Sequence, residues 1–259
     1  MRNVFIRNDD VREELSDSLR YITESILQEG YCISHAVEPA NATQKVVDWL
    51  LQMMEEYPGQ LELIQHGYDH KVKTDRPMGE FGGQRVFDDQ LEDISNGRDI
   101  MNQWFGDKWF PAFSFPFGTY NRDTLLALDS LGYSVITTGM NLGWKRRLIN
   151  FLGYISRRKH IGRYNIVYCG DTPPGFSFRE YPVVLNTTKT YLKPDGGIQK
   201  NRDELIEDWN GLKNFDVLGI LTHHRFNSKD DTDHFLRFLK TIGNTGEINF
   251  STIRSIYEK

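Results

Sequence analysis

Two cysteines in 259 residues are too few for a disulfide framework; Cys32 and Cys169 allow one bridge at most. Long hydrophobic runs are missing too. No segment approaches the ~18 consecutive apolar residues of a membrane-spanning helix. Met1 leads straight into Arg2-Asn3-Val4-Phe5, without the apolar stretch of roughly 7–15 residues that a secretion signal needs. The expectation is a cytoplasmic protein without a transmembrane segment. Positive charge is not in excess: 31 Lys and Arg stand against 36 Asp and Glu, which argues against a nucleic-acid partner. Proline is sparse, and no Pro/Ser-rich linker or low-complexity block divides the chain, so residues 1–259 read as one domain. A hydrophobic share of 39% is enough to build a core at this length.

Charge is uneven in one place. Lys145-Arg146-Arg147 is echoed by Arg157-Arg158-Lys159. This is either a solvated loop or a docking surface for an anionic ligand, such as a nucleotide-linked or lipid-diphosphate-linked sugar.

Strand-like and helix-like segments alternate along the chain. Apolar runs predict strands at 4–8, 31–37, 61–65, 112–117 and 133–138, with later ones at 164–169, 179–185, 217–223 and 248–251. Helical spacing predicts helices at 13–27, 43–56, 86–105, 122–131, 203–212 and 231–242, with glycine stops at Gly30, Gly106 and Gly132. The stretch 139–175 is less regular. Such alternation predicts an α/β fold with parallel strands covered by helices. A doubly wound sheet usually carries a Gly-rich turn after its first strand, whereas this strand ends in Asp9-Asp10. Polar candidates gather at several strand ends, as in a (β/α) barrel. The barrel is preferred.

Four strand ends carry candidate chemistry. His66 and His70 enclose Gly67-Tyr68-Asp69, a spacing that puts two imidazoles on one side of a helical turn, near enough to share a metal ion. Asp9 and Asp10 close the first strand. As structural residues they would include a helix N-cap at Asp10. As functional ones they divide, one binding metal and the other, turned across the pleat, taking a proton from water. The turn Ser114-Phe115-Pro116-Phe117-Gly118-Thr119-Tyr120-Asn121 is punctuation or a source of an oxyanion N–H. His223, followed by His224 and Arg225, ends a late strand and suits proton donation near neutrality.

These pieces, in this order, resemble the polysaccharide deacetylase group (NodB-homology, carbohydrate esterase family 4). The match covers 5–10, 65–70, 113–121 and 220–223, most of the chain's span. The resemblance implies a distorted (β/α) barrel with fewer than eight regular repeats. It implies Asp9 as catalytic base, Asp10, His66 and His70 as metal ligands, an oxyanion N–H on Phe117 and His223 as catalytic acid. His224 is the alternative to His223. The implied reaction is metal-dependent removal of an N-acetyl or other N-acyl group from an amino sugar. Zn²⁺ is the favoured ion, with Co²⁺, Ni²⁺ and Fe²⁺ compatible with the donor set.

Two departures matter. Arg7-Asn8 precedes the two acids where Thr-Phe is common, and Ser114 stands where an arginine usually positions the base. Arg7 and Arg179 are the candidate replacements, and Arg179-Glu180-Tyr181-Pro182 stands where an Asp-Trp motif is absent. The Ser114 form and the intracellular start look more like divergent deacetylase-like proteins of bacterial surface-polysaccharide (O-antigen or capsule) clusters than like secreted enzymes. Substrate contacts are expected from Tyr68, Tyr120, His224 and Glu80. Trp104 and Trp109 read as core rather than sugar platforms. Glu80-Phe81-Gly82-Gly83 is a mobile active-site loop or a simple connector. Two other functions compete: a non-catalytic carbohydrate-binding or scaffold homologue, and a hydrolase of small cyclic amides or imides on the same barrel.

Overall fold

The computed structural model describes residues 1–192, 196–212 and 215–259. Among these, seven parallel strands close into a ring: β1 (Arg2–Val11), β2 (Ile33–Val37), β3 (Leu61–His66), β4 (Ala112–Ser114), β5 (Val135–Gly139), β6 (Arg179–Asn186) and β7 (Val217–Thr222). They follow one another in chain order, and β7 pairs back onto β1 from Asn3↔Val217 to Asn8↔Thr222. An eighth strand, β8 (Ile248–Phe250), pairs only with the first residues of β1. This is the α/β distorted (β/α) barrel expected, with fewer than eight regular repeats.

The alternation of side chains along each strand explains the two cores. Val4 and Ile6 pack outward with Leu19, Ile22 and Ile26 of α1 (Asp17–Gln28), whereas Phe5 points inward. Phe5 joins Ala36, Ile64, Ala112, Val135, Tyr181 and Val183 in the barrel interior. β7 contributes Gly219 at this level, because a Cβ there would lie 2.4 Å from the Phe5 ring. Burying a ring of this size is worth roughly 1.5–3 kcal/mol. Ile253 and Ile256 of α8 (Ile253–Tyr257) complete that cluster. The outer layer adds α2 (Gln44–Glu56), α3 (Phe87–Phe105), α4 (Arg122–Ser130), α5 (Trp144–Ile155), α6 (Arg202–Asn210) and α7 (Lys229–Gly243).

Several expectations need adjusting. β1 runs through Val11, and α1 is capped by Ser16, whose Oγ accepts from the Leu19 N–H at 3.2 Å. Asp10 is therefore not an N-cap. The predicted strand at 164–169 survives only as Tyr164–Asn165, paired with His160–Ile161 in a small hairpin. Ile166, Val167 and Tyr168 are apolar because they are buried, not because they join the ladder. Of the basic residues predicted on a loop, Lys145, Arg146 and Arg147 belong to α5, whereas Arg157, Arg158 and Lys159 follow its end. Both cysteines are free. Trp109 is buried and Trp104 packs partly buried against the core, as expected. No helix among the described residues is long and apolar enough to cross a membrane.

Candidate active site

A cleft of about 600 Å³ opens where β1, β3, β4 and β7 end, and Asp9, Asp10, His66, His70 and His223 all line it. The volume suits a small ligand such as a sugar residue.

Pleat alternation would send Asp9 and Asp10 to opposite faces. The register between β1 and β2 shifts between Asn8 and Val11, and Asp10 takes φ 63° within that irregularity. A bulge re-aims side chains in this way, so both carboxylates face the cleft. The second acid is not turned across the pleat.

His66 is the last residue of β3, not part of a helical turn. The chain leaves it through Gly67 at φ 60° and returns at His70, φ 54°. A side chain at position 67 would collide with Glu80 and Pro116, its Cβ standing 2.3 Å from Glu80 Oε2. Glu80 Oε1 accepts the Tyr68 and Asp69 N–H groups at 2.9 and 3.0 Å. That bond pair folds the loop and brings the second imidazole beside the first. Asp69 faces Lys73 and Lys71 at 2.9 and 3.0 Å. Although burial works against it, these lysines hold its carboxyl at about 2.

Asp10 Oδ1 lies 3.3 Å from His66 Nε2 and 3.4 Å from His70 Nε2. A direct charge-assisted hydrogen bond is shorter, about 2.7–2.9 Å. Donors at about 2.1 Å from a tetrahedral ion stand roughly 3.4 Å apart. The spacing therefore fits ligands of one cation, and these three residues form a group able to hold a metal ion. His66 Nδ1 is 2.7 Å from Ser114 Oγ, which itself donates to Gln65 O at 3.4 Å. The hydroxyl thus accepts an Nδ1–H and leaves the His66 Nε2 lone pair free. The pairing His66↔Ser114 between β3 and β4 makes the contact possible. Burial alone would raise the Asp10 carboxyl, but the two histidines and His223 hold it well below its ordinary value. Burial lowers the His70 pKa, yet the facing Asp10 outweighs it and the net direction is up.

Asp9 is gripped at both oxygens by Arg7, with Nε to Oδ1 at 2.7 Å and Nη2 to Oδ2 at 2.8 Å. Arg7 Nη1 also donates to Thr137 O at 3.2 Å and to Thr137 Oγ1. The guanidinium that Ser114 cannot provide comes from β1 itself. Arg179 instead stacks over Tyr257, 5.2 Å from its ring.

His223 follows β7. Burial pushes its imidazole below the ordinary value against the pull of Asp10 and Asp9, and its buried Nδ1 has no hydrogen-bond partner among the described residues. Tyr191 stands edge-on to it at 5.6 Å. In the turn after β4, Phe117 takes φ 59° and lays its ring 4.5 Å from His70. That turn closes through Gly118 N–H to Phe115 O and Thr119 N–H to Pro116 O, bonds in which the Phe117 N–H takes no part. Three of the four non-glycine residues with positive φ among the described residues, Asp10, His70 and Phe117, belong to this site. Such strain collects where geometry matters more than local stability.

The four residues expected to touch substrate do not line the cleft. Glu80 is fully buried and shapes the histidine loop; burial pushes its carboxyl up to about 7. Tyr68 packs against Lys73, whose Nζ lies 5.1 Å from its ring centre. Tyr120 stacks on Phe115 at 4.4 Å and faces Lys159. His224 is buried in a polar chain: its N–H donates to Asn8 Oδ1 at 2.9 Å, and Asn8 Nδ2 reaches His35 Nδ1 at 3.1 Å. The Glu80–Gly83 connector is packed, with Phe81 buried and Gly82 lying against the Tyr120 backbone. Glu180 pairs with buried Lys159 at 2.5 Å and does not line the cleft.

Arg225, Tyr191, Met78 and Phe226 were not foreseen in the cleft wall. Arg225 Nη1 stands 3.7 Å from Asp10 Oδ2, and only its adjacency to His223-His224 hinted at it. Tyr191 arrives on a hairpin of Thr188–Leu192 and Gly196–Gln199, whose sequence cue is the β-branched and aromatic run 188–192 followed by Pro194-Asp195-Gly196.

In sequence, no family model and no curated protein matches the chain. Solved structures match its whole length. A family 4 acetyl xylan esterase from Clostridium thermocellum, in complex with a cobalt ion, is 10% identical with a TM-score of 0.59 over 99% of this chain and 91% of its own. A peptidoglycan N-acetylglucosamine deacetylase gives 14% and 0.59 over 99% and 88%. The fold is that of the CE4 deacetylases. A CE4 family pseudoenzyme from Bacillus anthracis shares it too, at 11% identity and 0.56 over 99% and 65%. In this chain the Asp10–His66–His70 group lies in the cleft at the strand ends.

Proposed function

We propose that this chain is a metal-dependent carbohydrate deacetylase that removes an N-acyl group from an amino sugar. The observation that carries the reading is the Asp10–His66–His70 group, with 3.3 and 3.4 Å between its donors, facing Asp9 and His223 across one cleft. Asp10, His66 and His70 would hold a divalent ion, which when bound would supply Lewis acidity and make water there easier to deprotonate. Asp9 takes the proton of the attacking water, and Arg7 is the positioning residue that keeps its carboxylate aimed. The Phe117 N–H donates to the oxygen that gains charge. His223, protonated from solvent beforehand, donates that proton to the departing amine, and Asp9 releases the one it took to solvent.

An amino sugar carried on a nucleotide or lipid diphosphate, and a cytoplasmic role in O-antigen or capsule assembly, belong to the same proposal. The divergent Ser114 turn and the basic segment near α5 support them. A complete ligand set favours this reaction over a metal-free cyclic amide hydrolase. Likeness to a pseudoenzyme makes the non-catalytic reading worth a direct test.

The test is metal analysis of protein purified without added metal, joined to acetate release from a panel of N-acetyl sugars, nucleotide sugars and lipid-linked sugars. One divalent ion per chain is expected. Asp9→Asn keeps the ion and loses about 10²–10⁴-fold in turnover; His66→Ala loses both. An Asp9→Asn enzyme of normal rate, or a chain that takes up no ion on reconstitution, would sink the proposal.

A further inference from the structure

α5 is an amphipathic helix facing the wrong way for a core element. Trp144, Leu148, Phe151, Leu152 and Ile155 fall on one arc at helical spacing, and each is between 50% and 72% exposed. The opposite side is fixed to the protein. Gly153 lies on Ile166, where a Cβ would come within 2.4 Å. Asn150 exchanges hydrogen bonds with Val167, Nδ2 to O at 3.1 Å and N–H to Oδ1 at 2.7 Å. Arg146 Nη2 donates to Asn165 O at 3.1 Å. The apolar arc therefore cannot turn inward without breaking this attachment.

Charge says what covers it. Between Ser130 and Gly170 the chain has seven Lys and Arg and no Asp or Glu, although the whole chain carries −5. Arg146 and Lys159 are used internally, on Asn165 and Glu180. Lys145 and Arg147 are exposed on either flank of the arc, and Arg157, Arg158 and Arg163 are exposed just beyond it. The first acid after the segment, Asp171, accepts from the Tyr154 hydroxyl at 2.9 Å.

We infer that α5 and the basic residues beside it dock in the plane of an anionic lipid membrane. Apolar side chains flanked by cations are the pattern of a helix that lies at the headgroup boundary. A second copy fits less well, because a two-fold contact through this face would bring the same cations against themselves. α5 starts five residues after Gly139, which lines the cleft, so the docked helix belongs to the end of the barrel that carries the site. The inference stands apart from the proposed reaction and needs no turnover to be read.

Flotation of the full chain with vesicles tests it. Phosphatidylcholine vesicles containing about 30% phosphatidylglycerol should capture on the order of tenfold more protein than pure phosphatidylcholine, and high salt should release it. Trp144 fluorescence should shift to the blue on binding. The paired substitutions Leu148→Asp with Phe151→Asp, and separately Lys145→Glu with Arg147→Glu, should abolish capture. Circular dichroism and metal uptake at the cleft should not change. Equal capture of neutral and anionic vesicles, undiminished capture of both variants, or no capture at all would overturn the inference. So would a wild-type dimer that Leu148→Asp with Phe151→Asp dissociates while vesicles bind neither form.

Discussion

Arg7 reaches Asp9 from two residues away on the same strand, so the charge that orients this carboxylate needs no other segment. Arg7→Met should leave metal content unchanged and reduce turnover by on the order of 10²-fold, read by metal analysis beside initial rates. Unchanged turnover would make the ion pair purely structural. Ser114 acts on the other acid's partner. With its hydroxyl removed, the Nδ1–H of His66 loses its acceptor, and Ser114→Ala should weaken metal affinity about 10–100-fold in a competitive chelator titration. At this scale the gathering of the acids and histidines in one cleft was legible, because they stand at strand ends that apolar runs reveal. The choice between Arg7 and Arg179 was not. It depends on which end of the barrel each occupies: Arg179 opens β6, whereas Arg7 lies near the far end of β1.

Among the elements, the turn Pro116–Gly118 places in one strained residue both the N–H proposed for the oxyanion and a ring over His70. Phe117→Gly separates them. It keeps the N–H and relieves the left-handed strain, at the cost of a freer unfolded chain, so stability should stay within about 1 kcal/mol in urea denaturation. Losing the ring over His70 should raise KM several-fold with kcat little changed. A collapse of kcat with unaltered KM would place the ring, not the N–H, in the chemistry. Most strands and helices were readable from periodicity, since their apolar faces point at a core. α5 escaped because its apolar arc faces outward, its N-cap is Gly143 with no side-chain cap bond, and Gly153 interrupts its interior. The histidine pair shows the converse. HxxxH spacing suggested a helical turn, but Gly67 and Glu80 fold a loop that meets the same distance requirement.

For the molecule as a whole, the buried polar chain linking Asn8, His35 and His224 couples stability to pH. Burial, with mutual repulsion at His35, lowers both histidines to about 3. Above an unfolded value near 6.5 both are neutral in either state. As pH falls from 6.5 toward 3 the unfolded chain takes up protons that the folded one refuses. Stability is then lost at up to about 1.4 kcal/mol per pH unit for each histidine. Glu80 works the other way: its carboxyl, pushed up to about 7, favours the folded state as pH falls from 7 toward 4.5. The two histidines outweigh it, so urea midpoints of the metal-free protein should fall steadily between pH 6.5 and 4.5. His35→Gln should flatten that slope, and an unaltered slope would place the acid sensitivity elsewhere.

The order of the barrel strands and most of their helices, the lack of a long apolar run and the acids and imidazoles at strand ends follow from the sequence alone, since periodicity and turn chemistry act over a few residues. Closure of the ring decided the rest. The register between β3 and β4 set Ser114 against His66, a bulge in β1 turned both acids into one cleft, and the packing of Gly153 on Ile166 left the apolar side of α5 outside. These pairings join residues far apart in the chain. Only the geometry of the closed barrel determines which of them meet.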